Sequence, residues 1–264
     1  MPAVELGRLQ QEAATLTEVF SDPDAYVQRL EKMLEVYASP VHRTGSVRGL
    51  RPVLFTYETA PIVLKQLLLE MEFQGREDPG QALEIADSLW KRRTIETRQL
   101  AIRLLGSIPA TKPSEVTQRL ESWLGENRED LLAPEFWDEG IMYLCKEFPQ
   151  ELIRFAGNLT RSLDIRKQIF GFGSLRKIIT TNPQGNIPSV FFILDNFNED
   201  PIRKLRPYIA DLFSTLAEHS PKETAFFLQE RIGRSFGEGM LWIVRQVAKK
   251  LPTDQQAQLL RKSP

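Results

Sequence analysis

Five prolines set the rhythm of this chain. Each follows a long segment of helical apolar spacing: "LLGSIP" ends at Pro109, "LCKEFP" at Pro149, "IITTNP" at Pro183, "LAEHSP" at Pro221 and "VAKKLP" at Pro252. The intervals are 40, 34, 38 and 31 residues. Proline lacks an amide hydrogen and disfavours helical geometry in the residue before it, yet it fits the first turn of a new helix. Each proline therefore reads as the turn between one helix and the next.

Helix pairs of this length cannot bury their apolar faces alone, so they stack on their neighbours. A period of roughly 30 to 47 residues predicts an all-α, HEAT/armadillo-like α-α superhelix, a curved solenoid of helix pairs. "AYVQRLEKMLEVYA", "APIVLKQLLLEM", "TRQLAIRLLGSI" and "VTQRLESWL" carry the same periodicity. "IPSVFFIL" is apolar on almost every side and reads as a helix packed between neighbours, with a strand as the alternative because Val and Phe favour sheets. The break "SPVHRTGSVRGLRP" divides an N-terminal helical pair, residues 1–38, from the repeats over 58–264, with 39–57 as the connection. The atypical first pair is expected to cap the array.

Composition narrows the chemistry. There is one cysteine, Cys145, and two histidines, His42 and His219, so no clustered metal-ligand pattern exists and no metal or cofactor is expected. No apolar run approaches a membrane span and the first residues lack the pattern of a signal peptide, which predicts a cytoplasmic protein without membrane contact. "GFGS", residues 171–174, lacks the spacing of a phosphate-binding loop; Gly171 and Gly173 read as close helix packing.

The net charge of −1 hides an asymmetry. Residues 1–150 hold 17 Lys and Arg against 24 Asp and Glu, and residues 151–264 hold 17 against 11. In the basic part Arg166, Lys167, Arg176, Lys177, Arg203, Lys204, Arg206, Arg245, Lys249 and Lys250 recur around the helix that precedes each repeat proline. Equivalent positions of stacked repeats form a ladder, and a ladder of cations can follow a phosphate backbone. Ordinary solvated charge is the alternative.

"DSLWKRRTIETRQLAIRLL", "EFWDEGIM" and "LWIVRQVAKKLP" together resemble the HEAT-like DNA alkylation-repair proteins, which include alkylpurine DNA glycosylases. The resemblance implies a helical-repeat fold and binding of double-stranded DNA. It also points to Trp137, Asp138 and Trp242 as the candidate catalytic positions. Excision of a cationic base needs aromatic faces and a carboxylate beside the sugar to stabilise positive charge. In the family that carboxylate stands four residues after the first Trp, one turn along the same helix face; here the position is Ile141. Trp137, Ile141 and Leu144 instead form an apolar stripe at i, i+4 and i+7. The expectation is thus a solenoid that binds a nucleic-acid backbone, or another polyanion, without robust catalysis. A protein-interaction scaffold is the alternative, and an active glycosylase the second.

Overall fold

A computed structural model describes residues 5–38, 54–109, 112–126, 132–196, 200–234 and 237–261. Among them are fifteen α-helices and no strand. No helix among them is long and apolar enough to cross a membrane. Of the connection expected over 39–57, residues 39–53 lie outside the described residues. Beyond them, Phe55 makes one isolated parallel bridge to Thr94, its N–H donating to the Arg93 carbonyl and its carbonyl accepting from Ile95, both at 2.9 Å.

The chain divides into two compact units, Met1–Tyr143 and Leu144–Pro264. The first holds α1 (Leu6–Ala14), a 3-10 turn (Thr15–Val19), α2 (Pro23–Val36), α3 (Pro61–Glu77), α4 (Pro79–Lys91), α5 (Ile95–Ser107), α6 (Pro113–Glu126) and α7 (Ala133–Asp138). After α8 (Met142–Glu147) at the junction, the second holds α9 (Pro149–Leu159), α10 (Ile165–Thr181), α11 (Ile187–Asp195), α12 (Arg206–His219), α13 (Pro221–Arg234), α14 (Glu238–Ala248) and α15 (Thr253–Arg261).

Local chemistry sets these boundaries. Asp22 accepts from the Asp24 and Ala25 amides at the start of α2, Asp78 from Gln81 at α4, Thr94 from Thr97 at α5, and Asp164 from Arg166 at α10. Such caps satisfy amides that have no partner inside the helix and contribute about 1 kcal/mol each. Of the repeat prolines, Pro149 and Pro221 open α9 and α13, while Pro109, Pro183 and Pro252 stand in the connections between helices. "IPSVFFIL" lies within α11, so helix rather than strand is its structure.

Within each unit several helices pack on their successor, on the helix after that, or on both. In the first, α3 meets both α4 and α5, α2 meets α4, and α1 meets α3. Trp90 of α4 stacks on Trp123 of α6, centroids 4.8 Å apart and planes within 8°, and meets Phe136 of α7 edge-on at 5.6 Å. In the second, α10 packs on α9 and α12, and α12 on α13 and α14, while α13 and α14 both reach α15. Gly171 lets α10 cross α9 closely: a Cβ there would stand 2.8 Å from the Ala156 carbonyl oxygen and 2.9 Å from the Thr160 nitrogen. That crossing is the structural use of "GFGS".

The single helix expected through residues 135–144 is broken. It ends at Asp138 and restarts at Met142, with a turn between. The cause is a close approach of backbones: the Glu139 carbonyl presses onto Gly106 of α5, where no side chain could fit. Trp137, Ile141 and Leu144 are nevertheless all buried, so the apolar stripe survives the break.

Candidate functional site

The positions suggested by the alkylation-repair likeness fall in both units, Trp137 and Asp138 in the first and Trp242 in the second. Trp137 is only 6% exposed, beside Phe136, which is fully buried. Asp138 is half-buried at the last residue of α7, and Ile141 occupies the place of the missing carboxylate with no exposure. Trp90, in the matched Leu-Trp segment, is also core: its indole N–H donates to Glu126 at 2.9 Å and the Arg98 guanidinium lies 4.4 Å over its ring. Trp242 belongs to the second unit, on α14, and is 38% exposed. Trp137 and Asp138 thus stand together, and their aromatic surface is turned into protein rather than toward a ligand.

The candidate cations divide into three groups. Arg166 is held by the Asp164 carboxylate at 2.6 Å, and that guanidinium keeps the Asp164 carboxyl below its usual range. Arg206 donates to the Pro201 carbonyl at 3.0 Å, Lys249 to the Gln246 side chain at 3.2 Å, and Lys250 faces Glu218 at 3.7 Å. Lys167, Arg176 and Lys177 are half-buried; the charge of Lys177 reaches Cys145, whose thiol burial pushes up to about 12. Arg203, Lys204 and Arg245 are exposed and have no carboxylate partner among the described residues. On α12, which packs against both α10 and α14, Asp211 and Glu218 are exposed. The layer built by α10, α12 and α14 therefore carries mixed charge.

Sequence reasoning missed the opposite layer of the same unit. A cleft of about 550 Å³ opens between α9 and α11. Its α9 wall is Gln150, Arg154 and Gly157, at i, i+4 and i+7 on one face of the helix, continued by Arg161 in the turn after α9. Ile153 and Ile193 form its floor, and Phe192 on the α11 rim is 72% exposed. Gln150 donates to Asn186 at 3.2 Å and ties the start of α9 to the residue before α11. A second cleft, of about 570 Å³, lies between α11 and α13, lined among others by Ile187, Phe191, His219 and Glu223. Beyond it Phe226 is 65% exposed. The buried Arg231 donates to the Leu194 carbonyl and lies 5.5 Å from the Phe227 ring, which fixes α13 against the end of α11.

The signal for this surface was present. A helix that is apolar all round, as in "IPSVFFIL", needs cover on every side. The fold covers Val190, Ile193 and Leu194 and leaves Phe192 out, contrary to the expectation of a helix enclosed by its neighbours. No protein-family model, no curated protein and no solved structure matches this chain.

Proposed function

We propose that this chain is a helical-repeat scaffold of the HEAT/armadillo kind that binds a segment of a partner protein on the face made by α9, α11 and α13. The observation that carries it is the pair of clefts flanking α11 with Phe192 and Phe226 exposed beside them. Exposed aromatic side chains next to concave apolar surface are the common form of a protein-recognition site. The packing of α3 on α4 and α5, and of α12 on α13 and α14, supports stacked helix pairs, hence the solenoid. Kinship with the alkylation-repair proteins would then lie in the frame and not in base excision, since Trp137 is buried and position 141 holds no carboxylate.

A second reading keeps its own support. Arg203, Lys204 and Arg245 are exposed and free of carboxylate partners among the described residues, which suits contact with a phosphate backbone. One experiment separates the two. The purified chain is screened against a displayed peptide library, and in parallel titrated with plain and alkylated duplex DNA over a salt series. Peptides whose binding is lost on Phe192→Ser or Phe226→Ser are the expected result. Salt-sensitive duplex binding that falls in an Arg203→Ala, Lys204→Ala, Arg245→Ala variant, with no peptide selected, replaces the proposal with the second reading. Release of an alkylated purine that stops on Asp138→Asn would restore the glycosylase.

A further inference from the structure

The chemistry of the α9–α11 cleft specifies its occupant more narrowly, given that the scaffold reading holds. The geometry points to an acidic amphipathic helix of a partner protein, laid along α9 with an apolar anchor in the cleft and a carboxylate at each end. Three features of the site carry this.

The first is charge. Arg154 on α9 and Arg161 in the turn after it are both exposed and line the cleft. The only carboxylate paired with either among the described residues is Glu151, one turn before Arg154, at 3.3 Å in an exposed pair. Exposed pairs of that kind contribute little and yield readily to a better partner. Gln150 and Asn158 add neutral hydrogen-bonding groups, and none of the ten lining side chains is acidic.

The second is spacing. Arg154 lies on α9 and Arg161 in the turn beyond its end, where Thr160 keeps helical φ and ψ, so a rise of 1.5 Å per residue puts the two positions about 10 Å apart. Carboxylates at i and i+7 of a partner helix have the same separation and lie on one face, with i+3 and i+4 between them. Acidic ends and an apolar middle therefore match Arg154, the cleft and Arg161 in one register.

The third is the form of the apolar centre. Gly157 lets Ile193 of α11 sit against the middle of the α9 wall: a Cβ there would come within 2.7 Å of Ile193. Ile193 and Ile153 thus close the floor of the cleft between the two arginines, and both are buried. Phe192 stands across from it, largely unburied by this chain. An aromatic or leucine side chain entering between Phe192 and the floor would cover both, the usual way a helix anchors in a groove.

The test uses the full chain and fluorescein-labelled helical peptides of about eighteen residues, long enough to hold helix in water. One peptide carries Glu at i and i+7 with Phe at i+3 and Leu at i+4. A second has Lys in place of both Glu, and a third has Ser in place of Phe and Leu. The first peptide is expected to bind, with affinity that falls as salt rises, while the other two bind at least about tenfold more weakly. Arg154→Glu with Arg161→Glu should reverse the preference, so that the lysine peptide becomes the better ligand. Phe192→Ser should weaken the first peptide by a similar factor without changing the thermal midpoint. All three substituted side chains are exposed, so loss of fold does not confuse the result.

Equal binding of the glutamate and lysine peptides, or binding untouched by the arginine reversal, overturns the inference. If library-selected peptides still bind through Phe226, the scaffold reading stands and only the acidic occupant is lost. If neither selected nor designed peptides bind, both fall together. Duplex DNA binding that disappears on the arginine reversal assigns the cleft to a phosphate backbone and likewise overturns the acidic helix.

Discussion

Glu72 shows how one carboxylate can be placed at a cost. It is half-buried on α3, and burial raises its pKa above the ordinary value, with Glu139 adding to the rise while Arg76 and the Ser107 hydroxyl oppose it. A raised carboxyl binds its proton more tightly in the folded chain than in the unfolded one. Stability contributed by that proton is present at acid pH and is lost as pH rises through the interval between the unfolded and folded values. Glu72→Gln removes this loss. The thermal midpoint of the variant relative to the parent should therefore rise from about pH 4 upward and level off above the folded pKa. A difference that is flat with pH, or that shrinks as pH rises, contradicts the assignment. The Asp164 carboxyl runs the other way: Arg166 depresses its pKa, so its contribution appears above the ordinary carboxylate range and is lost on acidification. The Glu72 environment could not be read from sequence, because Ser107 and Glu139 reach Glu72 only after α3, α5 and the turn following α7 come together.

At the level of helices, glycine separates a packing role from an incidental one. Gly171 sits where α10 crosses α9, whereas Gly125 is exposed near the end of α6 with nothing within 4 Å of its missing Cβ. Gly171→Ala is expected to cost about 1–3 kcal/mol, because the new methyl must push the α9 backbone away. Gly125→Ala should raise stability by a few tenths to about 1 kcal/mol, through the higher helix propensity of alanine. Urea midpoints of the two variants check both signs; a Gly171→Ala chain as stable as the parent would mean that α9 and α10 can separate freely. The helices themselves were largely legible: proline spacing and apolar period located α5, α9, α10, α12 and α13. The break after Asp138 was not. It depends on the Glu139 carbonyl meeting Gly106, a contact across more than thirty residues that leaves no local mark. The same limit applies to the candidate site. Trp137 in the middle of "EFWDEGIMYL" offers the letters of an aromatic wall, and only the packing of α7 on α5 and the burial of Phe136, Trp137 and Ile141 turn those letters into core.

Taken whole, the chain consists of two units that each hold their own core, and within each unit helices contact mainly their first and second neighbours. Damage in such an arrangement spreads by adjacent contacts rather than through one shared centre, so opening is expected to be local. Gly106→Ala is the sharpest probe, since its methyl collides with the Glu139 backbone and must disturb the seat of α7 on α5. Amide exchange followed by mass spectrometry should then show protection lost first in α5 and α7, next in α3 and α4, while α10 and α12 keep theirs under the same conditions. This pattern follows from the contact order of the helices: α3 and α4 lean directly on α5, whereas α10 and α12 draw their cover from α9, α13 and α14. Uniform loss across all of these helices would show that the chain unfolds as a single cooperative body. Graded loss would leave the α9–α11 cleft intact in a chain whose first unit is loosened, and peptide binding by Gly106→Ala should then match that of the parent.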